Sequence, residues 1–292
     1  MYDFLNEILI KQYGCDLTVK INSGYIKKKT TFRINRCKTN VSYIKKFLDD
    51  NKIKYENVKY FPDAFIILSD VDITKLDIYK EGLIYLQNLS SMIPVLVLDP
   101  KGEEHILDMS ASPGGKTTEM SSLTLNNCYI TACEKNKIRA DRLKYNVLKQ
   151  GCKRVNVMNI DSLLLDSYFR FDKILLDSPC SGSGTLDSNY NKYFSKDLIN
   201  KSVNIQEKLL TKAYELIKVG SVIIYSTCSI LESENENQIK KLINKYNLEI
   251  VPIDKNDFPG ITFLPTKIDG VICICPDDVY EGFFVAKLRK VK

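Results

Sequence analysis

Histidine is nearly absent from this chain: of 292 residues, only His105 carries an imidazole. The commonest general base of enzymes is thus missing in numbers, and any catalysis has to lean on Asp, Glu, Lys or Cys. No Cys-x-x-Cys pair occurs among the nine cysteines, which lie at 15, 37, 128, 133, 152, 180, 228, 273 and 275. With that spacing and one histidine, no metal site is expected. An odd, scattered set of this kind reads as reduced thiols, most of them packed as small hydrophobes. No run of about 18 apolar residues is present, so no membrane-spanning helix is expected. The first residues, MYDFLNEILIKQYG, are amphipathic and acidic early. They lack the basic-then-apolar layout of a secretory signal, and the expected location is the cytoplasm. There is no internal repeat and no low-complexity tract.

What is present is ordinary globular material, 44% hydrophobic and 27% charged, in a length that allows two domains. The net charge of +6 permits a nucleic-acid partner without requiring one.

The first 95 residues read as a helix over 1–13 followed by a small α/β module. A strand is expected over 30–35, a helix over 42–51 starting at Ser42, and a second strand within 59–68. Residues 84–92 form a short apolar-periodic segment, and Pro94 and Pro100 punctuate the way into a second domain, 96–292. Lys27, Lys28, Lys29, Arg33, Arg36, Lys38, Lys45 and Lys46 make a basic zone interleaved with Tyr25, Phe32 and Tyr43. A nucleic-acid surface has this composition, with Arg33, Lys38 and Lys45 as phosphate contacts. The solvated face of a lysine-rich module has it too.

From His105 onward strands alternate with helices. Strands are expected at 129–134, 154–158, 172–177, 221–227, 248–253 and 282–288. Helices are expected at 137–150, with Ile138, Leu143, Val147 and Leu148 on one side, at 196–219 up to Gly220, and at 232–246. This order predicts a mostly parallel, doubly wound sheet covered on both faces. Ligands of such sheets sit beyond the carboxyl ends of the strands, and the unusual residues fall there. After the first strand comes Ser110-Ala111-Ser112-Pro113-Gly114-Gly115-Lys116, a glycine turn opening a helix and suited to an anionic or zwitterionic ligand. The end GGKTT looks like part of a phosphate-binding P-loop, but the required earlier glycine is Ser110, and Pro113 removes an N–H donor. Glu134 ends the second strand, where an acid accepts hydrogen bonds from ribose hydroxyls. Asp161 follows the third. Together these favour a nucleoside ligand. Asp177 and Cys180 end the fourth strand in DSPCSGSG, and Cys228 ends the fifth in STCS. Two thiols on neighbouring rim loops are hard to explain as packing, and a thiolate is a strong nucleophile.

LDMSASPGGKTT, LLDSPCSGSGT and IIYSTCSILESENE resemble the motifs of the NOP/Sun family of RNA (cytosine-5) methyltransferases, in particular its archaeal-type tRNA enzymes. The similarity runs from FRINRCKTN through YKEGLIYLQNLSSM to GFFVAKLRK, nearly the whole chain. The family's usual CAAPGGK is SASPGGK here, and Ser178 replaces a usual alanine; the turn and its glycines are kept. The resemblance implies a seven-stranded Rossmann-like methyltransferase domain behind a small RNA-recognition-like module, with S-adenosylmethionine as cofactor. It assigns residues 110–116 to the methionine part of that cofactor, Glu134 (more often Asp in the family) to the ribose, Asp161 to the adenine and Arg139 to support of the site. Asp177 faces the target base, Cys228 matches the nucleophile, and Cys180 matches the cysteine that assists product release. The expected partner is RNA, tRNA before ribosomal RNA, and the expected state a monomer. A non-catalytic RNA-binding relative has no chemical reason to keep Asp177, Cys180 and Cys228 together. A DNA cytosine methyltransferase would place its nucleophile in the fourth-strand motif, which leaves Cys228 unexplained.

Overall fold

The computed structural model describes residues 3–186 and 194–292. The N-terminal helix α1 (Asp3–Ser23) runs ten residues past the expected end, because the chain turns at Gly14 (φ 80°) and resumes helical geometry. Residues 1 and 2 of the expected helix lie outside the described residues.

The small module follows as β1 (Thr31–Ile34), α2 (Val41–Asp50), β2 (Tyr55–Asn57), β3 (Ala64–Ile67), α3 (Asp77–Lys80) and β4 (Ile84–Leu86). Its sheet has the order β2-β3-β1-β4, with every pair antiparallel. This βαββαβ connectivity is that of split-βαβ folds. Asn40, rather than Ser42, caps α2 by accepting the Tyr43 N–H at 2.9 Å. Alternation along the strands gives the sheet two buried faces. Phe32, Ile34, Phe65 and Ile67 pack with Ile44 and Leu48 of α2, while Ala64 and Ile66 pack into the core of the second domain. The expected single segment at 84–92 is in fact β4 and the start of α4 (Leu89–Leu98), with Asn88 as helix cap between them. Pro94 lies inside α4, and so does the expected domain boundary after residue 95. This helix packs on the large sheet, burying Leu89, Met92, Ile93 and Val95.

The second domain contains β5 (His105–Asp108), α5 (Gly115–Leu123), β6 (Tyr129–Cys133), α6 (Lys137–Lys149), β7 (Val155–Met158), β8 (Phe171–Asp177), α7 (Lys196–Leu216) and β9 (Ile217–Thr227). It ends with α8 (Glu236–Lys245), β10 (Leu248–Ile250), β11 (Phe263–Leu264), β12 (Ile272–Ile274) and β13 (Phe283–Lys290). The sheet order is β11-β12-β13-β9-β8-β5-β6-β7, with β10 also paired to β13. β5 to β9 are parallel, and β13 is antiparallel to β9. Nine strands thus stand among the described residues where seven were expected. The difference is two short strands of 2–3 residues, β11 and β12, beyond β13; β10 falls inside the strand expected at 248–253. One face is covered by α4, α5 and α6, the other by α1, α7 and α8. The helix α6 buries Ala140, Leu143 and Val147, whereas Ile138 and Leu148 are 79% and 80% exposed, so its apolar stripe is narrower than expected. The helix α7 stops at Leu216 because the following residues, Gly220 included, join β9. None of the described helices is long and apolar enough to cross a membrane.

Candidate active site

The carboxyl ends of β5 to β9 converge on one cavity of about 220 Å³. After β5 the chain turns through Ser110–Gly114, and α5 starts at Gly115. Gly114 has φ 110°, and a Cβ there would lie 3.0 Å from Leu143 Cδ1 on α6, so the turn requires glycine at this position. The helix α6 straps the turn in place. Ser112 Oγ donates to the Arg139 carbonyl (2.9 Å), Arg139 Nη2 donates to the Ser112 carbonyl (3.2 Å), and Asn146 Nδ2 donates to the Pro113 carbonyl (2.7 Å). Beneath it, Thr117 Oγ1 donates to buried Asp108 at 2.7 Å. Burial pushes the Asp108 carboxyl up to about 6, against the pull of Thr117 and Lys116.

The end of β6 places Glu134, only 6% exposed, on the cavity wall. One carboxylate oxygen accepts the Asn136 N–H at 2.9 Å and the other lies 3.4 Å from Arg139 Nε. Past β7, Asp161 accepts the Leu163 N–H (3.1 Å) and sits 4.0 Å from Lys135 Nζ. At the end of β8, Asp177 accepts hydrogen bonds from Ser226 Oγ (2.7 Å) and Lys116 Nζ (2.6 Å). Lys116 also donates to Ser91 Oγ at 2.7 Å. Burial alone would lower its ammonium, but Asp177, Asp108 and Glu119 outweigh that and hold it above the usual lysine range. Because Asp177 and Ser226 are register partners, the loops beyond them run side by side and bring Cys180 Sγ to 3.0 Å from Cys228 Sγ. The hydrogen bond to Cys228 and burial both raise the Cys180 thiol well above its normal value.

Ser110 and Ser112 of the turn, Glu134, Arg139, Asp161, Asp177, Cys180 and Cys228 border one space, in which two thiols and several carboxylates lie together, while Ala111, Pro113, Gly115 and Lys116 border a neighbouring cavity. A family model described as 16S rRNA methyltransferase RsmB/F matches residues 95–289 of this sequence. The chain belongs to the RsmB/F methyltransferase family. A tRNA (cytosine(49)-C(5))-methyltransferase of Pyrococcus abyssi is 34% identical over 275 residues, covering 90% of the chain and 88% of that protein. A ribosomal RNA small subunit methyltransferase F of Shewanella amazonensis is 32% identical over 273 residues, covering 90% of the chain but 58% of that protein. Among solved structures, a methyltransferase homologue from Pyrococcus horikoshii superposes with a TM-score of 0.84 at 29% identity, covering 99% of the chain and 100% of that structure. The cofactor of this methyltransferase family is S-adenosylmethionine.

In this RsmB/F member a buried acid that sequence reasoning passed over fixes the two cysteine loops. Glu234 is fully buried, and its carboxylate accepts from Ser181 N–H (2.7 Å), Ser181 Oγ (2.6 Å) and Ser229 Oγ (2.6 Å). It joins the residue after Cys180 to the residue after Cys228. Ser183 and Ser229 hydroxyls meet at 2.8 Å, and Gly184 N–H donates to the Cys228 carbonyl at 3.0 Å. The available sequence signal was the acid-rich ESENE directly after the second cysteine motif. An acid there that faces inward needs several donors, and the serines around both cysteines supply them.

The expected RNA contacts separate. Arg33 is 1% exposed and does not reach solvent. Its guanidinium donates to Gln87 Oε1 (2.9 Å), the Gly115 carbonyl (2.8 Å) and Thr118 Oγ1 (2.8 Å), and lies 3.9 Å from Glu119. The reason is strand alternation: Arg33 occupies the sheet face that packs on the second domain. Phe32 and Tyr25 are buried as well, and Tyr25 donates to the Ser183 carbonyl. Lys38 is exposed, with its ammonium on the carbonyls of Glu81 and Lys149, and Lys45 is half-buried.

Proposed function

We propose that this chain transfers a methyl group from S-adenosylmethionine to carbon 5 of a cytosine in RNA, with tRNA as the substrate. The observation that carries this reading is the thiol pair, 3.0 Å apart, sharing a cavity with a carboxylate held by Lys116 and Ser226. A methyl transfer to oxygen or nitrogen needs no such pair. Carbon 5 of cytosine is a poor nucleophile until a group adds to carbon 6. The residues present suit the cofactor: a strapped turn at a helix start, a nearly buried Glu134 for the ribose and Asp161 at the far wall. Arg139 supports the turn and Glu134 alike. S-adenosylmethionine supplies the electrophilic methyl.

The chain's own groups do the remaining work. Cys228 Sγ forms a bond to carbon 6, and the carbon 5–carbon 6 π pair moves toward carbon 5. Asp177, oriented by Lys116 and Ser226, gives a proton to ring nitrogen 3 as carbon 6 is attacked and takes it back when Cys228 leaves. Cys180 keeps its proton while Cys228 carries negative charge. Once Cys228 is bonded to carbon that charge is gone, and Cys180 loses its proton to water more easily. As a thiolate it then takes the proton from carbon 5, the double bond re-forms, and Cys228 leaves as thiolate. The site returns to its starting protonation state.

The tRNA assignment is supported by the relative matched over 88% of its length, a tRNA enzyme, while the ribosomal relative extends well beyond the match. The protein would act as a cytoplasmic monomer. The test is bisulfite sequencing of tRNA and ribosomal RNA after incubation with purified protein and S-adenosylmethionine. A protected cytosine in tRNA is expected; protection only in ribosomal RNA replaces the substrate, and none in either removes the activity.

A further inference from the structure

A second cavity, of about 620 Å³, shares Ser110 and Asp177 with the cofactor space and opens toward the small module. Its lining includes Tyr85, Gln87, Lys116 and Glu281. Resting on the reading above, we infer that Glu281 is the specificity-determining residue that accepts the exocyclic amine of the target cytosine and thereby excludes uracil.

Three observations carry this. First, Asp177 is already tied by Ser226 Oγ and Lys116 Nζ, one on each carboxylate oxygen, whereas among the described residues none donates a hydrogen bond to the Glu281 carboxylate. A half-buried carboxylate with no donor is what a site keeps for a ligand N–H. Second, its backbone is fixed from both sides. Ser90 Oγ donates to the Glu281 carbonyl at 2.8 Å, and the next residue, Gly282, donates its N–H to the Gly184 carbonyl at 2.8 Å. A Cβ on Gly184 would fall 2.0 Å from the Gly282 carbonyl oxygen, so the segment bearing Glu281, just before β13, is pressed against the Cys180 loop. Third, the charges around it suit an amine donor. Burial raises the Glu281 carboxyl, Lys116 and Lys28 oppose that, and Asp177 adds to it. A neutral N–H donor solvates the carboxylate without adding a fixed charge. Cytosine presents such a donor at its 4-amino group, where uracil presents a carbonyl oxygen. That oxygen would face the carboxylate and be repelled.

The test uses full-length protein and two versions of a tRNA transcript that the wild-type chain methylates, with cytosine or uracil at the target position. Covalent adduct formation and methyl transfer are followed on both. Glu281→Gln keeps the size of the side chain and adds an N–H that suits uracil. It should lower kcat/KM on cytosine by roughly 10- to 100-fold and narrow the cytosine-over-uracil ratio by at least the same factor, with S-adenosylmethionine binding unchanged. Glu281→Asp, which retains the carboxylate, should keep the ratio, and it serves in its own right should the Gln variant fail to fold: loss of the ratio in Glu281→Asp overturns the assignment. A Gln variant that slows both transcripts equally, or neither, also overturns it. Absence of methyl transfer by the wild-type protein on any RNA would instead remove the methyltransferase reading on which it rests.

Discussion

At the scale of single residues, the site works by deciding which group holds each proton. Cys180 Sγ lies 3.0 Å from Cys228 Sγ, and this contact and burial raise the Cys180 thiol. Replacing Cys228 with Ala should abolish methyl transfer while leaving S-adenosylmethionine affinity unchanged by calorimetry, since Cys228 meets the base and not the donor's binding groups. Cys180→Ala should do something different. Addition to carbon 6 still occurs but release stalls, so an RNA–protein adduct should accumulate on denaturing gels. A Cys180→Ala variant that turns over without an adduct removes the release role. Asp108 gives a pH prediction. Its carboxyl is pushed up from 3.8 to about 6 by burial, so between those values the folded state holds more protons than the unfolded one. Stability therefore falls as pH rises through this window, by about 3 kcal/mol at most. Asp108→Asn, which still accepts from Thr117, should flatten that part of the curve in denaturant unfolding at pH 4 to 7 and raise stability at pH 7.

At the scale of elements, β1 shows how a strand serves two domains. Its alternate residues Phe32 and Ile34 hold the small module together, while Arg33 reaches across to the Gly115 carbonyl at the start of the cofactor helix. Burial pushes Glu119 up to about 8, with Arg33 and Gln87 opposing it, so this acid is already close to neutral at pH 7. Glu119→Gln should then cost under about 1 kcal/mol, whereas Arg33→Ala removes three hydrogen bonds to buried acceptors and should cost about 3 kcal/mol or more. Chemical unfolding measures both, and equal losses would mean that Arg33 acts mainly through Glu119. The same geometry decides what belongs to RNA binding. Arg33→Ala should leave the slope of log affinity against log salt unchanged, while losing both Lys38 and Lys45 should reduce it by about 1 to 2 if they contact phosphates. The elements themselves were legible in the sequence because each strand of the parallel sheet ends in a recognisable residue or turn. The short edge strands β11 and β12, of 2–3 residues, were not, since so few residues carry no periodicity.

At the scale of the whole molecule, the chain order and the packing order differ. The helix α1 precedes the small module in sequence but buries Leu5, Leu9, Tyr13 and Ile21 in the core of the second domain, with Tyr13 and Gln12 donating to the Ile230 carbonyl just past Cys228. Four such side chains contribute roughly 1.5–3 kcal/mol each, comparable with the roughly 5–15 kcal/mol net stability of a folded protein. A chain shortened by residues 1–23 should therefore lose its cooperative thermal transition in circular dichroism. A truncated chain melting within a few degrees of the full one would show that α1 is dispensable.

The sequence by itself determined the alternation of strands and helices, the cofactor turn and the five strand ends where chemistry gathers. These follow from local rules: hydrophobic period, glycine at a turn, acids and thiols at fixed places after a strand. Asp177, Cys180 and Cys228 could be named that way because each stands within three residues of a strand's end. Only the tertiary structure decided which side of a strand faces what. It turned Arg33 from a surface cation into a buried tie, placed Glu234 beneath both cysteine loops, carried α1 past the small module and set Glu281 into the second cavity. Burial and pairing across long sequence distances are properties of the assembled chain, and they depend on neighbours that no single segment contains.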